Sequence, residues 1–144
     1  MRLWHYKLIP VLPKKQLVSQ WRECIAIKGM WEKGKLANQP LVNYVMNHDK
    51  EYFMNYVWRV REELNRRNIN YQNKYYNEIF NFCESDFWMN DEYRDPLYPE
   101  HNDRYLKQCY YNLQEKADRG IITKEEWEKI EDLFKEEIWK YLLH

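Results

Sequence analysis

Residues 1–29 read MRLWHYKLIPVLPKKQLVSQWRECIAIKG, and the placing of Pro10, Pro13 and Gly29 decides how the fold begins. Proline lacks the N–H that a helix interior needs, so residues 2–12 read as an arm rather than a helix. Beyond Pro13, the apolar residues Leu17, Trp21 and Cys24/Ile25 recur at helical spacing. They predict a helix over 14–28 that stops at Gly29. Arg22 and Glu23 point away from that stripe, with the small residues Ser19 and Ala26 near them. Small neighbours leave room for another stretch of backbone or a ligand to approach.

Working outward, 29–39 reads as a basic loop, and Pro40 suits the first turn of a short helix through Met46. Asp49 is placed to cap a long helix to Arg67, in which Phe53, Val57, Val60 and Leu64 keep an i, i+4, i+7, i+11 rhythm. A further helix spans about 74–83. Residues 84–98, ESDFWMNDEYRDPLY, are acidic, aromatic and aperiodic, and read as an ordered loop. Pro99 opens another helix that Gly120 ends. Thr123 and Glu126 form a capping box for the last helix, to about Leu142, with the stripe Trp127, Ile130, Phe134, Ile138 and Tyr141. No segment alternates with period two. The expected architecture is all-α: a compact single-domain helical bundle over residues 1–144, with an irregular N-terminal arm and loops.

Composition fits that reading. Aromatic residues make up 17% of the chain and charged ones 32%, which suits a small core of large rings under a charged surface. Three Gly and five Pro argue against disorder or a loop-rich β fold. Cys24, Cys83 and Cys109 are odd in number and lack paired spacing, so they read as reduced core thiols. No signal-peptide h-region and no 18-residue apolar run occurs, which points to a cytoplasmic protein that does not span a membrane. The zero net charge hides a segregation. Residues 1–75 hold 14 Lys/Arg against 6 Asp/Glu, whereas 76–103 hold 1 against 8. A basic first half is what phosphate binding needs.

The chemistry starts at the first residue. Arg2 is too bulky for ordinary methionine removal, so Met1 is expected to present a free α-amine, a group that titrates near ~7.7–8.0 where lysine titrates near ~10.4. Such an amine beside a glutamate makes a Schiff-base site. An extended arm reaches ~36 Å at ~3.3 Å per residue. The helix from Pro13 to Glu23 rises only ~15 Å. The amine can therefore fold back onto Glu23.

The stretch Met1–Gly29 resembles the N-terminus of the pyrimidine-dimer DNA glycosylase family, the phage endonuclease V type. In that family the arm opens with the catalytic amine and an arginine. A helix follows with Leu, an aromatic residue, Arg-Glu and a final Gly. Met1, Arg2, Leu17, Trp21, Arg22, Glu23 and Gly29 stand at those positions. The likeness continues weakly through His48 and the following helix, and at Tyr98-Pro99-Glu100-His101. The Trp4-His5 pair is similar to a bacterial branch of the family. The chain departs from the usual pattern where the amine belongs to Met1 rather than a small residue, where Ala26 replaces a further arginine, and in its zero net charge.

The resemblance implies a DNA glycosylase/AP lyase acting on pyrimidine-dimer or abasic sites in double-stranded DNA, as a monomer and without a cofactor. Met1 and Glu23 would be catalytic, and Arg2, Arg22, His5, Lys14, Lys15, Lys28 and His48 would contact DNA. Lys14 and Lys15 oppose the helix dipole, so their charge is expected to serve something other than helix stability. Trp31 and Trp88, read as loop residues, are candidates for base stacking. The four histidines are scattered, and no metal site is expected. A rival reading is a non-catalytic helical module that binds protein or nucleic acid, the former through the acidic loop 84–98.

Overall fold

The long stripe predicted from Phe53 to Leu64 forms the centre of the fold. In the computed structural model, which describes residues 1–83 and 97–142 but not the side chains of 138–142, that stripe lies on α2 (Lys50–Arg66) with Phe53, Val57, Val60 and Leu64 all buried. Helix α1 (Lys14–Glu32) packs on α2, and α3 (Asn73–Cys83) packs on both. Helix α4 (Asp103–Asp118) pairs with α5 (Lys124–Leu142). The N-terminal segment lies between α2 and α5. The described residues contain no strand, so the fold is all-α.

The helix ends show local chemistry at work. Thr123 and Glu126 exchange hydrogen bonds at 3.1 Å each, completing the predicted capping box. Asp49 holds the N-cap position of α2 without a side-chain capping bond. At α4 the cap is Asn102, whose side chain accepts from the Tyr105 N–H, and Pro99 lies in the preceding turn. Gly29 does not end α1. The helix runs one turn further to Gly34, at φ +71°, where the Lys35 N–H reaches the Met30 carbonyl and the Gly34 N–H the Trp31 carbonyl. Only a residue without a Cβ takes that left-handed position cheaply, whereas a helical glycine costs about 1 kcal/mol relative to alanine.

That extra turn moves Trp31 out of the predicted loop. Its ring packs edge-on against Phe53 at 6.0 Å and Phe82 at 5.4 Å, which makes it core rather than a stacking platform. The segment 36–47 holds two short 3₁₀ helices, Leu36–Asn38 and Asn43–Asn47, in place of a basic loop and an α-helical turn. Cys24, Cys83 and Cys109 are free and buried. The loop reading for 84–96, Trp88 and the stripe positions Ile138 and Tyr141 lie outside the described residues.

The arm departs most from expectation. Tyr6–Val11 coils into a 3₁₀ helix that contains Pro10. A missing N–H forbids an α-helical interior but suits a short 3₁₀ turn. Leu8, Ile9 and Leu12 are buried, and the Lys7 ammonium meets Glu137 on α5 at 2.8 Å. From α2, the Arg67 guanidinium donates to the carbonyls of Leu12 (2.7 Å), Pro10 (3.1 Å) and Ile9 (3.4 Å). Glu63, also buried, accepts from both Arg66 and Arg67. The turn is thus fastened by side chains from two helices.

Candidate active site

Residues 1–5 of the arm form no helix, and their backbone is bound almost group by group. The Arg2 N–H donates to Glu23 Oε2 at 3.4 Å. The Gln20 amide donates to the Arg2 carbonyl at 3.0 Å and to Glu23 Oε2 at 3.3 Å. Its oxygen accepts from the Trp4 N–H at 2.8 Å and from the Tyr56 hydroxyl at 3.1 Å. The Tyr56 hydroxyl also reaches the Trp4 carbonyl, and Tyr105 donates to the Leu3 carbonyl. Helices α1, α2 and α4 together hold three consecutive residues of the arm.

The outcome is an amine at the rim of a half-buried carboxylate. Met1 is 44% exposed, while Leu3 and Trp4 just beyond it are buried. Burial raises the Glu23 pKa, and the Arg2 N–H, the α-ammonium of Met1, the Arg2 side chain and the Gln20 amide oppose that rise. The arm therefore brings the N-terminal charge into the field of Glu23, although it does so from a coiled rather than an extended chain.

The predicted cations fall into two groups. Lys14, Lys15 and Arg22 are exposed on α1. Lys15 and Arg22 are seven residues apart and so share a face with Ser19 and Ala26. Lys28 is mostly buried and pairs with Glu32 at 2.6 Å. Arg2 is half-buried, with its guanidinium 5.2 Å from the Trp4 ring centroid and its charge felt by the Cys109 thiol. These two are engaged within the protein.

His5 and His48 are also engaged within the protein. His5 is 1% exposed, and its Nδ1 accepts from the Lys7 N–H at 3.1 Å. It packs 5.4 Å from the ring of His101. The Tyr6 N–H donates to His101 Nδ1 at 3.1 Å, so the proton of the neutral ring sits on Nε2 and points at the Tyr44 hydroxyl, 2.7 Å away. Burial holds His5 down to about 4 and His101 down to about 3, with each ring kept neutral at physiological pH. A buried neutral imidazole cannot serve as a phosphate contact. His48 binds Glu100 through Nε2, at 2.8 and 3.0 Å, and stacks on Tyr52. Among the described residues, no three His, Cys, Asp or Glu cluster to hold a metal, and no helix is long and apolar enough to cross a membrane.

Sequence reasoning missed Gln20, Tyr56 and Tyr105. For Gln20 a signal existed, because it falls between Leu17, Trp21 and Cys24 on the buried stripe of α1, where a polar group must find partners. The two tyrosines look like core residues on α2 and α4 until the arm is laid across them. A cleft of about 540 Å³ was also unforeseen. It lies between the coiled arm and α2, lined by Tyr6, Trp58, Arg59 and Arg66 among others, and includes neither Met1 nor Glu23.

An all-α domain that folds its N-terminal arm back onto a half-buried glutamate brings an α-amine and a carboxylate into one region. Residues 1–77, just over half of the chain, match the family model for pyrimidine dimer DNA glycosylase. The chain belongs to that family. It is accordingly a DNA-repair glycosylase by kinship, with DNA as the substrate of its class. The matched region holds the arm, α1 and α2, and so contains both partners of the amine–carboxylate pair. No curated protein and no solved structure shows a match to the chain.

Proposed function

We propose that this chain is a bifunctional DNA glycosylase/AP lyase acting at pyrimidine-dimer or abasic sites in duplex DNA, with the α-amine of Met1 as nucleophile. The observation that carries the reading is the binding of the Arg2 N–H and the α-ammonium's field to one carboxylate, Glu23. The neutral amine attacks sugar C1′, forming a C–N bond while the glycosidic bond breaks and its electron pair leaves with the base. Loss of the amine proton and opening of the sugar ring give an iminium. Removal of a C2′ proton then expels the 3′ phosphate by β-elimination. Glu23 steadies the positive charge at C1′ and shuttles the protons, and the burial that raises its pKa strengthens it as a base. Arg22, Lys14 and Lys15 offer exposed charge to the flanking phosphates. The protein acts as a cytoplasmic monomer and a single domain over residues 1–144. Borohydride trapping on ultraviolet-irradiated, abasic and intact duplex tests the proposal. Adducts on damaged DNA alone support it, whereas no adduct on any duplex favours a non-catalytic binding module.

A further inference from the structure

Gln20 uses its whole hydrogen-bonding capacity on one task. It is fully buried, yet neither of its partners on the arm is a side chain. Its two N–H groups go to the Arg2 carbonyl and Glu23 Oε2, and its oxygen takes the Trp4 N–H and, at 3.1 Å, a share of the single Tyr56 hydroxyl proton, which lies closer to the Trp4 carbonyl. The amide can face only one way. If flipped, its oxygen would oppose the Arg2 carbonyl and the Glu23 carboxylate, and its NH₂ would oppose the Trp4 N–H. All of these contacts are repulsive. Tyr56, buried on α2, fixes the amide from behind.

Glu23 and Gln20 lie three residues apart on α1, so their side chains leave the helix on the same side. Without Gln20 the arm would keep a single bond to Glu23, from the Arg2 N–H at 3.4 Å. With it, arm and carboxylate form a closed ring of hydrogen bonds that runs from Arg2 N–H through Glu23 and Gln20 to the Arg2 carbonyl. That ring sets the position of the peptide immediately after the amine.

We propose that Gln20, braced by Tyr56, is the positioning residue of the active site: it locks the Arg2–Trp4 backbone to the Glu23 carboxylate, so that amine and carboxylate meet DNA as one rigid unit. This rests on the Schiff-base reading above for its functional consequence, but its effect on Glu23 can be measured without DNA. Gln20 bonds neither the amine nor the DNA and acts through the Glu23 carboxylate and the arm backbone that it holds.

The test compares Gln20→Met, which keeps length but removes both donors, with Tyr56→Phe and wild type. The first readout is the ¹³C titration of the Glu23 carboxyl in the free protein. Loss of a donor to the carboxylate disfavours its charged form, so the Glu23 midpoint moves to higher pH in Gln20→Met and moves less, in the same direction, in Tyr56→Phe. The second readout is the pH profile of borohydride trapping on abasic duplex. Its acid limb moves up with the Glu23 midpoint, and the trapping rate at the optimum falls about 10²-fold, as expected for misplaced reacting groups. A folded Gln20→Met protein with the wild-type Glu23 titration and the wild-type profile overturns the proposal. If Gln20→Met does not fold, an unchanged Glu23 midpoint in Tyr56→Phe overturns it instead. If wild type traps no abasic DNA, the Schiff-base reading fails by itself, and the titration still decides what Gln20 does to Glu23.

Discussion

Two glutamates on neighbouring helices meet the same arm, and they are treated in opposite ways. Glu63 on α2 is buried between two guanidiniums, and one of them, Arg67, clamps the coiled half of the arm through three carbonyls. Glu23 on α1 receives only neutral donors at 3.3 and 3.4 Å, with the α-ammonium nearby at an exposed rim. A carboxylate bonded to two arginines is fixed in place. One held by weak neutral donors can still exchange a proton. The arm is thus anchored at its coiled half, and its first residues are left at the rim of Glu23.

Glu23→Gln provides the largest expected break in this comparison. It keeps shape but removes the proton acceptor, so strand cleavage should fall by ~10²–10⁴-fold while DNA binding survives. Glu63→Gln should do the reverse. Cleavage per folded molecule stays near normal, and stability falls by ~1–3 kcal/mol, the lower end reflecting the exposure of Arg66. Denaturant melts and single-turnover cleavage on both variants would show whether the two carboxylates divide the work in this way.

The pH dependence of stability sharpens the contrast. His5 and His101 fall from 6.5 to about 4 and about 3 on folding, so the unfolded chain binds more protons in that interval. The stability they contribute is complete above pH 6.5 and is lost as pH falls through 4 to 3. Glu23 has the opposite sign. Its raised pKa means that the folded state favours the proton, so its charged form weakens the fold at neutral pH. Thermal melts should therefore show Glu23→Gln at or above the wild-type midpoint at pH 7, and both proteins failing together in acid.

The smallest effect concerns the exposed face of α1. With Lys28 paired to Glu32 and Arg2 turned inward, three cations remain there: Lys14, Lys15 and Arg22. If all three meet phosphates, log K should fall against log salt with a slope of about −2.7, and Arg22→Ala should lessen it by about 0.9. A flat response would leave that face without a DNA role.

The helices were legible because their signals are local. The stripe from Phe53 to Leu64 and the Thr123–Glu126 box each need only a few adjacent residues. Gly29 misled because it comes before Gly34, and nothing local says which glycine turns left-handed. The return of the N-terminal arm to Glu23 was legible through the resemblance and a simple reach argument. The brace behind it was not. Tyr56 and Tyr105 lie 52 and 102 residues from the arm carbonyls they bind, and the Tyr6–His101 bond spans 95. Such partners emerge only once α2 and α4 are packed against the arm. The burial of His5, read as a DNA contact, was hidden for the same reason: it depends on His101 and Tyr105, which lie far along the chain.

The proposed nucleophile beside Glu23 is the N-terminal amine rather than a lysine. Borohydride reduction on abasic duplex, followed by proteolysis and mass mapping of the adduct, addresses it directly. The DNA remnant is expected on the peptide that begins at Met1, and trapping is expected to be lost without unfolding when that amine is acetylated or extended by an uncleaved tag. An adduct mapped to a lysine, or undiminished trapping by the blocked protein, would contradict it.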